Sequence, residues 1–191
     1  VMKKGDMIAV CKNFKGLVVV DEAYIDFADR QSSMLDQLGD LPNLVILQTF
    51  SKAWGMAGIR LGMAFGPSEL IQALMKMKLP YNVNSVTASL ALRALQTPQL
   101  TLAWVDQIVT EREKLRVELE KFSAVEKIFP SDANFLLIRI ADAKRVYDQL
   151  ASRGIVTRYR GNVPGCEGTI RITIGTSEQN SQLLSALKSF L

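Results

Sequence analysis

With 191 residues, 48% hydrophobic and 22% charged, the chain has the composition of a globular protein of one or two domains, and no apolar run approaches the ~20 residues of a membrane span. Its net charge of +4 is mild and its cations fall in short separated groups (Lys12/Lys15, Lys76/Lys78, Arg158/Arg160), which argues against nucleic acid as a partner. Histidine is absent and the two cysteines, Cys11 and Cys166, lie far apart, so His-based triads, Cys-His dyads and His or CxxC metal sites drop out and proton transfer falls to Lys, a carboxylate or Tyr.

Met7–Phe14 reads as the end of a helix stopped by Gly16. The run Leu17–Val20, with three β-branched residues, predicts a buried central strand. Asp21 stands at its carboxyl end, where open α/β sheets take their ligands, and Tyr24 follows three residues on. A simpler reading of Asp21 is a cap on the following turn. Ala28–Asp40 is polar and predicts a short helix and loop.

Leu44–Gln48 and Leu61–Phe65 predict the next two strands, and the loop between them concentrates the chemistry. It carries Thr49, Ser51 and Lys52, then the small residues Gly55, Ala57 and Gly58, then Arg60 at the mouth of the second run. Hydroxyls with a planar guanidinium fork suit a phosphate, and a partly desolvated amine beside them is a candidate Schiff-base nucleophile. Phosphate and imine chemistry on one loop point to pyridoxal phosphate. Asp21 then suits the ring nitrogen, keeping it protonated, and Tyr24 the ring hydroxyl. The competing readings are a solvated Lys52 and an Arg60 that only caps a strand.

Beyond the loop, Pro67-Ser68-Glu69 opens a helix to about Lys78, with Ser68 as its cap. Residues 80–85 form a loop, Ser85–Gln96 a helix broken by Thr97-Pro98, and Thr101–Phe122 a long helix whose Glu111–Lys114 segment reads as a solvated face. Val125–Phe129 and Asn134–Ile140 predict strands, Ala141–Arg153 a helix closed by Gly154, Ile155–Tyr159 and Thr169–Ile174 two further strands, and Ser177–Leu191 a closing helix capped by Ser177. This order predicts an α+β layer with its helices on one face. Arg171 sits inside the apolar strand TIRITIG, where a charge needs a partner: a substrate carboxylate held bidentately, or a local acid.

The segments VVVDEAYIDF and TFSKAWGMAGIRLG together resemble the core of the fold-type I pyridoxal-phosphate aminotransferases, most of all the histidinol-phosphate branch. The resemblance covers nearly the whole chain. It implies the C-terminal part of an α/β fold: a partial, mostly parallel large-domain sheet over residues 1–98, an interdomain helix over 99–123 and a small α+β domain over 124–191. It implies Lys52 as the catalytic lysine bound to the cofactor, Asp21 on the ring nitrogen, Tyr24 on the ring oxygen, and Thr49, Ser51 and Arg60 on the cofactor phosphate. Arg171 matches the arginine that binds the α-carboxylate and Arg158 the one that contacts the substrate phosphate, while Tyr81 and Asn82 lie in a loop placed near the active site. The simpler readings are an ion pair for Arg158 and, for residues 80–85, a plain turn with Asn84 or Ser85 capping the next helix. The implied reaction moves an amino group between L-histidinol phosphate and 2-oxoglutarate, in a cytoplasmic homodimer without metal. The alternatives are an aromatic aminotransferase, a threonine-phosphate decarboxylase, or a folded but inactive, dimerising piece. Too few residues precede Leu17 to supply a crossover and the family's upstream cofactor loops, so a piece of a longer protein is expected.

Overall fold

The apolar runs near residues 18, 45 and 63 become the three strands of one sheet. The computed structural model describes residues 2–191 and separates into two units, Val1–Val105 and Asp106–Leu191. The first contains helix α1 (Lys4–Asn13), strands β1 (Val18–Asp21), β2 (Leu44–Thr49) and β3 (Gly62–Phe65), and helices α2 (Ser68–Met77) and α3 (Ser85–Gln96). Strand order is β1-β2-β3. β1 and β2 run parallel, from Val18 opposite Leu44 to Asp21 opposite Leu47, and β3 returns antiparallel, with Thr49 opposite Gly62.

The central place expected for Leu17–Val20 belongs instead to β2, whose Leu44, Val45 and Ile46 are buried. Among the described residues β1 is hydrogen-bonded on one side only, and its Val19 is 56% exposed. Leu44 and Ile46 pack with Met7 and Cys11 of α1, Met34 and Leu41. α1 ends differently from expectation: Phe14 turns extended before Gly16 is reached. The Asn43 side-chain amide donates to the carbonyls of Cys11, Phe14 and Gly16, supplying partners that a helix end lacks. Residues 28–40 hold two short 3-10 turns, Arg30–Ser32 and Leu35–Gln37, rather than a helix, and a third, Ile25–Phe27, precedes them. Pro67, not Ser68, occupies the cap of α2, and the Ser68 hydroxyl accepts from Gln72 within the helix.

Helix α4 (Pro98–Leu119) starts on its proline, which lacks an N–H that the first turn could not pair anyway. The second unit continues with β4 (Val125–Ile128), β5 (Phe135–Ile140), helix α5 (Ala143–Ser152), β6 (Arg158–Tyr159), β7 (Thr169–Thr173) and helix α6 (Ser177–Lys188). Its sheet is antiparallel in the order β4-β5-β7-β6. Alternation along β5 and β7 sends Leu136, Ile138, Ile140, Ile170 and Ile172 into one core with Leu115 and Leu119 of α4, Val146 and Leu150 of α5, and Leu183 and Leu187 of α6. The helices therefore cover one face, and Phe135, Leu137, Arg139 and Arg171 are half-buried on the other. The strand expected over 155–159 shrinks to two residues. Thr176, one residue before the expected Ser177, caps α6 in a reciprocal capping box with Gln179. Among the described residues no helix is long and apolar enough to cross a membrane.

Glu111 and Arg112 are not a solvated face; both are buried. Arg112 donates to the Ala133 carbonyl at 2.8 Å. Glu111 accepts from Lys114 at 2.9 Å and from Asn180 at 3.1 Å, and these partners, Lys114 first, hold its carboxyl below its usual range. A carboxyl lowered in the folded state stabilises fully above its unfolded pKa and loses that contribution as pH falls through its folded value. Glu111→Gln is expected to cost about 1 kcal/mol at pH 7, the scale of a hydrogen bond to a charged group beside an exposed lysine. Denaturant midpoints at pH 7 and pH 3 check this: the gap between wild type and variant should close in acid.

Candidate active site

Parallel pairing brings the carboxyl ends of β1 and β2 to the same end of the first sheet, and the antiparallel β3 starts there. Asp21 closes β1, Thr49 closes β2 with Ser51 and Lys52 directly beyond, and Arg60 stands two residues before β3. One carboxylate, two hydroxyls, one amine and one guanidinium thus belong to a single sheet end, where α/β sheets place their ligands.

The loop from Phe50 to Leu61 is closed from both sides. Phe50 N–H donates to the Leu61 carbonyl at 3.2 Å, Met56 N–H to the Phe50 carbonyl at 3.0 Å, and Gly55 N–H to the Lys52 carbonyl at 3.0 Å. Gly55 has φ +66°, a conformation that glycine adopts at no steric cost. Phe50 and Ala53 are buried beneath the loop, and the Phe50 and Trp54 rings meet at 5.4 Å. The Thr49 hydroxyl accepts from Ser51 N–H at 3.0 Å and lies 3.3 Å from the Leu61 carbonyl.

Lys52 is half-buried, and its Nζ sits 5.1 Å from the centre of the Tyr24 ring. Among the described residues the Lys52 amine has no hydrogen bond or ion pair, so no acid competes for it. Asp21 does cap the following turn, accepting from Ala23 N–H at 2.9 Å through Oδ1, yet it remains exposed. Asp21 and Tyr24 also line an apolar cavity of about 420 Å³ beside β1, with Met7, Val10 and Val19. Thr49, Ser51, Lys52 and Arg60 do not line it. Arg60 takes a left-handed φ of 54° and turns one arm of its fork back onto the Ala57 carbonyl at 3.0 Å. A non-glycine residue in that region costs about 1–3 kcal/mol, a strain that clusters at functional sites.

Tyr81 and Asn82 lie in the exposed loop between α2 and α3; Tyr81 is 96% exposed and has φ 58°. Of the two residues offered by the simpler reading, Asn84 rather than Ser85 is the observed cap of α3, accepting from Thr87 N–H at 2.8 Å.

In the second unit, Arg158 and Arg171 face each other directly across the β6–β7 ladder. Like charges in that position repel, so the pair is suited to an anion. The Arg171 guanidinium lies 5.0 Å from the Phe135 ring centre, and its Nε is buried without a hydrogen-bond partner. Among the described residues neither arginine makes an ion pair, contrary to the local-acid reading. No group of acidic or cysteine side chains among the described residues is arranged to hold a metal ion.

The family model described as "Aminotransferase class I and II" matches residues 5–187. The chain belongs to the class I and II aminotransferases. It is 47% identical over 188 residues to a histidinol-phosphate aminotransferase of Parabacteroides distasonis, covering 98% of this chain and 54% of that protein. The structure matches the crystal structure of the histidinol-phosphate aminotransferase from Clostridium acetobutylicum with a TM-score of 0.93 at 27% identity, over 99% of this chain and 59% of that one. It also matches the Sinorhizobium meliloti histidinol-phosphate aminotransferase, solved in complex with pyridoxal-5'-phosphate, with a TM-score of 0.88 at 25% identity, over 100% and 54% of the two chains. The chain spans about half the length of the curated relatives it matches.

In this aminotransferase family member two further residues, absent from the expected site, meet at the same sheet end: Gln48 donates to Glu22. The signal for Glu22 was present: in a strand that exposes Asp21, the next residue turns to the opposite side. Gln48 offered none, because a polar residue at a strand end reads as ordinary surface.

Proposed function

We propose that this chain carries the cofactor lysine and the substrate arginines of a pyridoxal-phosphate aminotransferase that moves an amino group between L-histidinol phosphate and 2-oxoglutarate, in a cytoplasmic homodimer. The observation that carries the reading is the gathering of Asp21, Thr49, Ser51, Lys52 and Arg60 at one sheet end, with the Lys52 amine 5.1 Å from the centre of the Tyr24 ring.

The residues fit the cofactor's chemistry. Lys52 offers an uncommitted amine for the aldehyde. Asp21 has carboxylate capacity left beyond its turn bond for a protonated ring nitrogen, and Tyr24 a hydroxyl for the ring oxygen. Ser51, Thr49 and the remaining arms of Arg60 offer donors to a phosphate. When bound, pyridoxal phosphate supplies an electron sink for negative charge at the substrate Cα. Lys52 would take the proton from that carbon and return it. Asp21 keeps the ring nitrogen protonated. Arg171 binds the amino acid's carboxylate through its fork, and Arg158 binds the substrate phosphate. Tyr81 and Asn82 remain candidates for further substrate contact.

The full-length protein is expected to bind pyridoxal phosphate with a visible absorption band and to turn over L-histidinol phosphate with 2-oxoglutarate. Turnover of threonine phosphate or aromatic amino acids in preference would replace the substrate assignment, and absence of the band would overturn the reading. Arg171→Gln is expected to lower kcat/KM for the amino donor by about a hundredfold, the worth of two hydrogen bonds to a charged group, with cofactor affinity unchanged. Steady-state kinetics and cofactor titration on the same preparation check both halves.

A further inference from the structure

Glu22 follows Asp21 directly and is only 5% exposed. Its carboxylate collects three donors from different parts of the first unit. Oε1 accepts from Met34 N–H at 2.6 Å, and Oε2 accepts from the Ser33 hydroxyl and from Gln48 Nε2, each at 2.9 Å. The backbone adds a fourth tie, Glu22 N–H to the Leu47 carbonyl at 2.8 Å. One side chain therefore joins the end of β1, the end of β2 and the turn at residues 33–34.

Among the described residues no cation pairs with Glu22. A buried carboxylate held by neutral donors alone gives poor value as a stabiliser, since an apolar side chain of similar volume often does as well or better. What it provides is directional bonding, which an apolar side chain lacks. The bond to Gln48 acts on the residue immediately before Thr49, and Thr49 orders Ser51, which precedes Lys52.

We infer that Glu22 is a positioning residue: through Gln48 it clamps the Thr49–Lys52 segment against the Asp21 end of β1, fixing the spacing between the carboxylate and the amine. This rests on the pyridoxal-phosphate reading above. A site of this kind loses function when its supporting bonds are left loose, even with every contacting group in place.

The test is titration of the full-length apoprotein with pyridoxal phosphate, reading affinity and the pH midpoint of the visible band alongside the melting temperature. Glu22→Ala is expected to weaken affinity about 10- to 100-fold, the range found when a group that orients a ligand is removed, and to move the pH midpoint. Glu22→Gln should restore most of both, because its amide can accept from Met34 N–H and donate to a flipped Gln48, while the Ser33 hydroxyl rotates to suit. Gln48→Ala should resemble Glu22→Ala, and the double variant should be little worse than either single one, as for two residues acting through one bond. Should Glu22→Ala fail to fold, Gln48→Ala carries the test. Variants that melt earlier but keep wild-type affinity and pH midpoint would show a purely structural bond and overturn the inference. Wild-type protein that fails to bind the cofactor overturns the functional reading with it; wild-type binding with unaffected variants overturns the clamp alone.

Discussion

Lys52→Ala in the full-length protein is expected to reduce transamination by about 10⁴-fold or more, the upper range for a positioned proton-transfer group, since in the proposed role it would also remove the covalent anchor. The expectation follows from what surrounds the amine. Lys52 is half-buried on a closed loop, its Nζ lies 5.1 Å from the centre of the Tyr24 ring, and among the described residues it makes no hydrogen bond or ion pair. Lys52→Arg should fail nearly as badly, because a guanidinium is effectively always protonated and cannot accept a proton. Exchange of the substrate Cα proton for deuterium, followed by NMR, isolates this step from binding. Exchange within tenfold of wild type in Lys52→Ala would remove Lys52 from the role. The loop should tolerate the change, since its anchors are Phe50, Ala53 and backbone bonds rather than the Lys52 side chain.

Asp21→Asn gives the second large effect, about 10²–10³ in the rate of a single half-reaction, the scale of losing one preorganised electrostatic partner. The substitution is selective. Among the described residues the Asp21 side chain makes one hydrogen bond, accepted from Ala23 N–H, and an asparagine carbonyl can accept it equally well. Asp21 is exposed, so the melting temperature should hardly change. What disappears is the negative charge that would keep a pyridine nitrogen protonated. Stopped-flow measurement of one half-reaction, with circular dichroism melts of the same samples, separates the two quantities. A variant that melts early and reacts at the wild-type rate would make Asp21 a turn cap and nothing more.

Asp21 also shows why sequence and structure give answers of different kinds. Two readings were open for it, cap and ligand, and the structure makes it the cap while leaving it exposed at the sheet end. Both are local consequences of an acid placed just past an apolar run. The Thr49–Arg60 loop was legible for the same reason: two apolar strands bracket it, and small residues permit the return. Arg60 was only half legible. Its position at the start of β3 followed from spacing, but its left-handed backbone and its bond to Ala57 did not. Asn84 and Thr176 show the same limit at helix starts, where several polar residues stand side by side and φ/ψ chooses among them.

The sequence by itself determined which chemical groups this chain can bring to bear and at which strand ends they stand, because apolar runs, glycines and isolated polar residues act over a few neighbours. Tertiary structure alone decided that β2 rather than β1 is the central strand, that Glu22, Glu111 and Arg112 are buried, and that Arg158 and Arg171 oppose each other across a ladder. Each of these depends on a partner distant in the chain: Leu47 beside Asp21, Met34 and Gln48 on Glu22, Asn180 on Glu111. The burial of a charge is set by whether such a partner arrives, and no window of neighbouring residues contains that information.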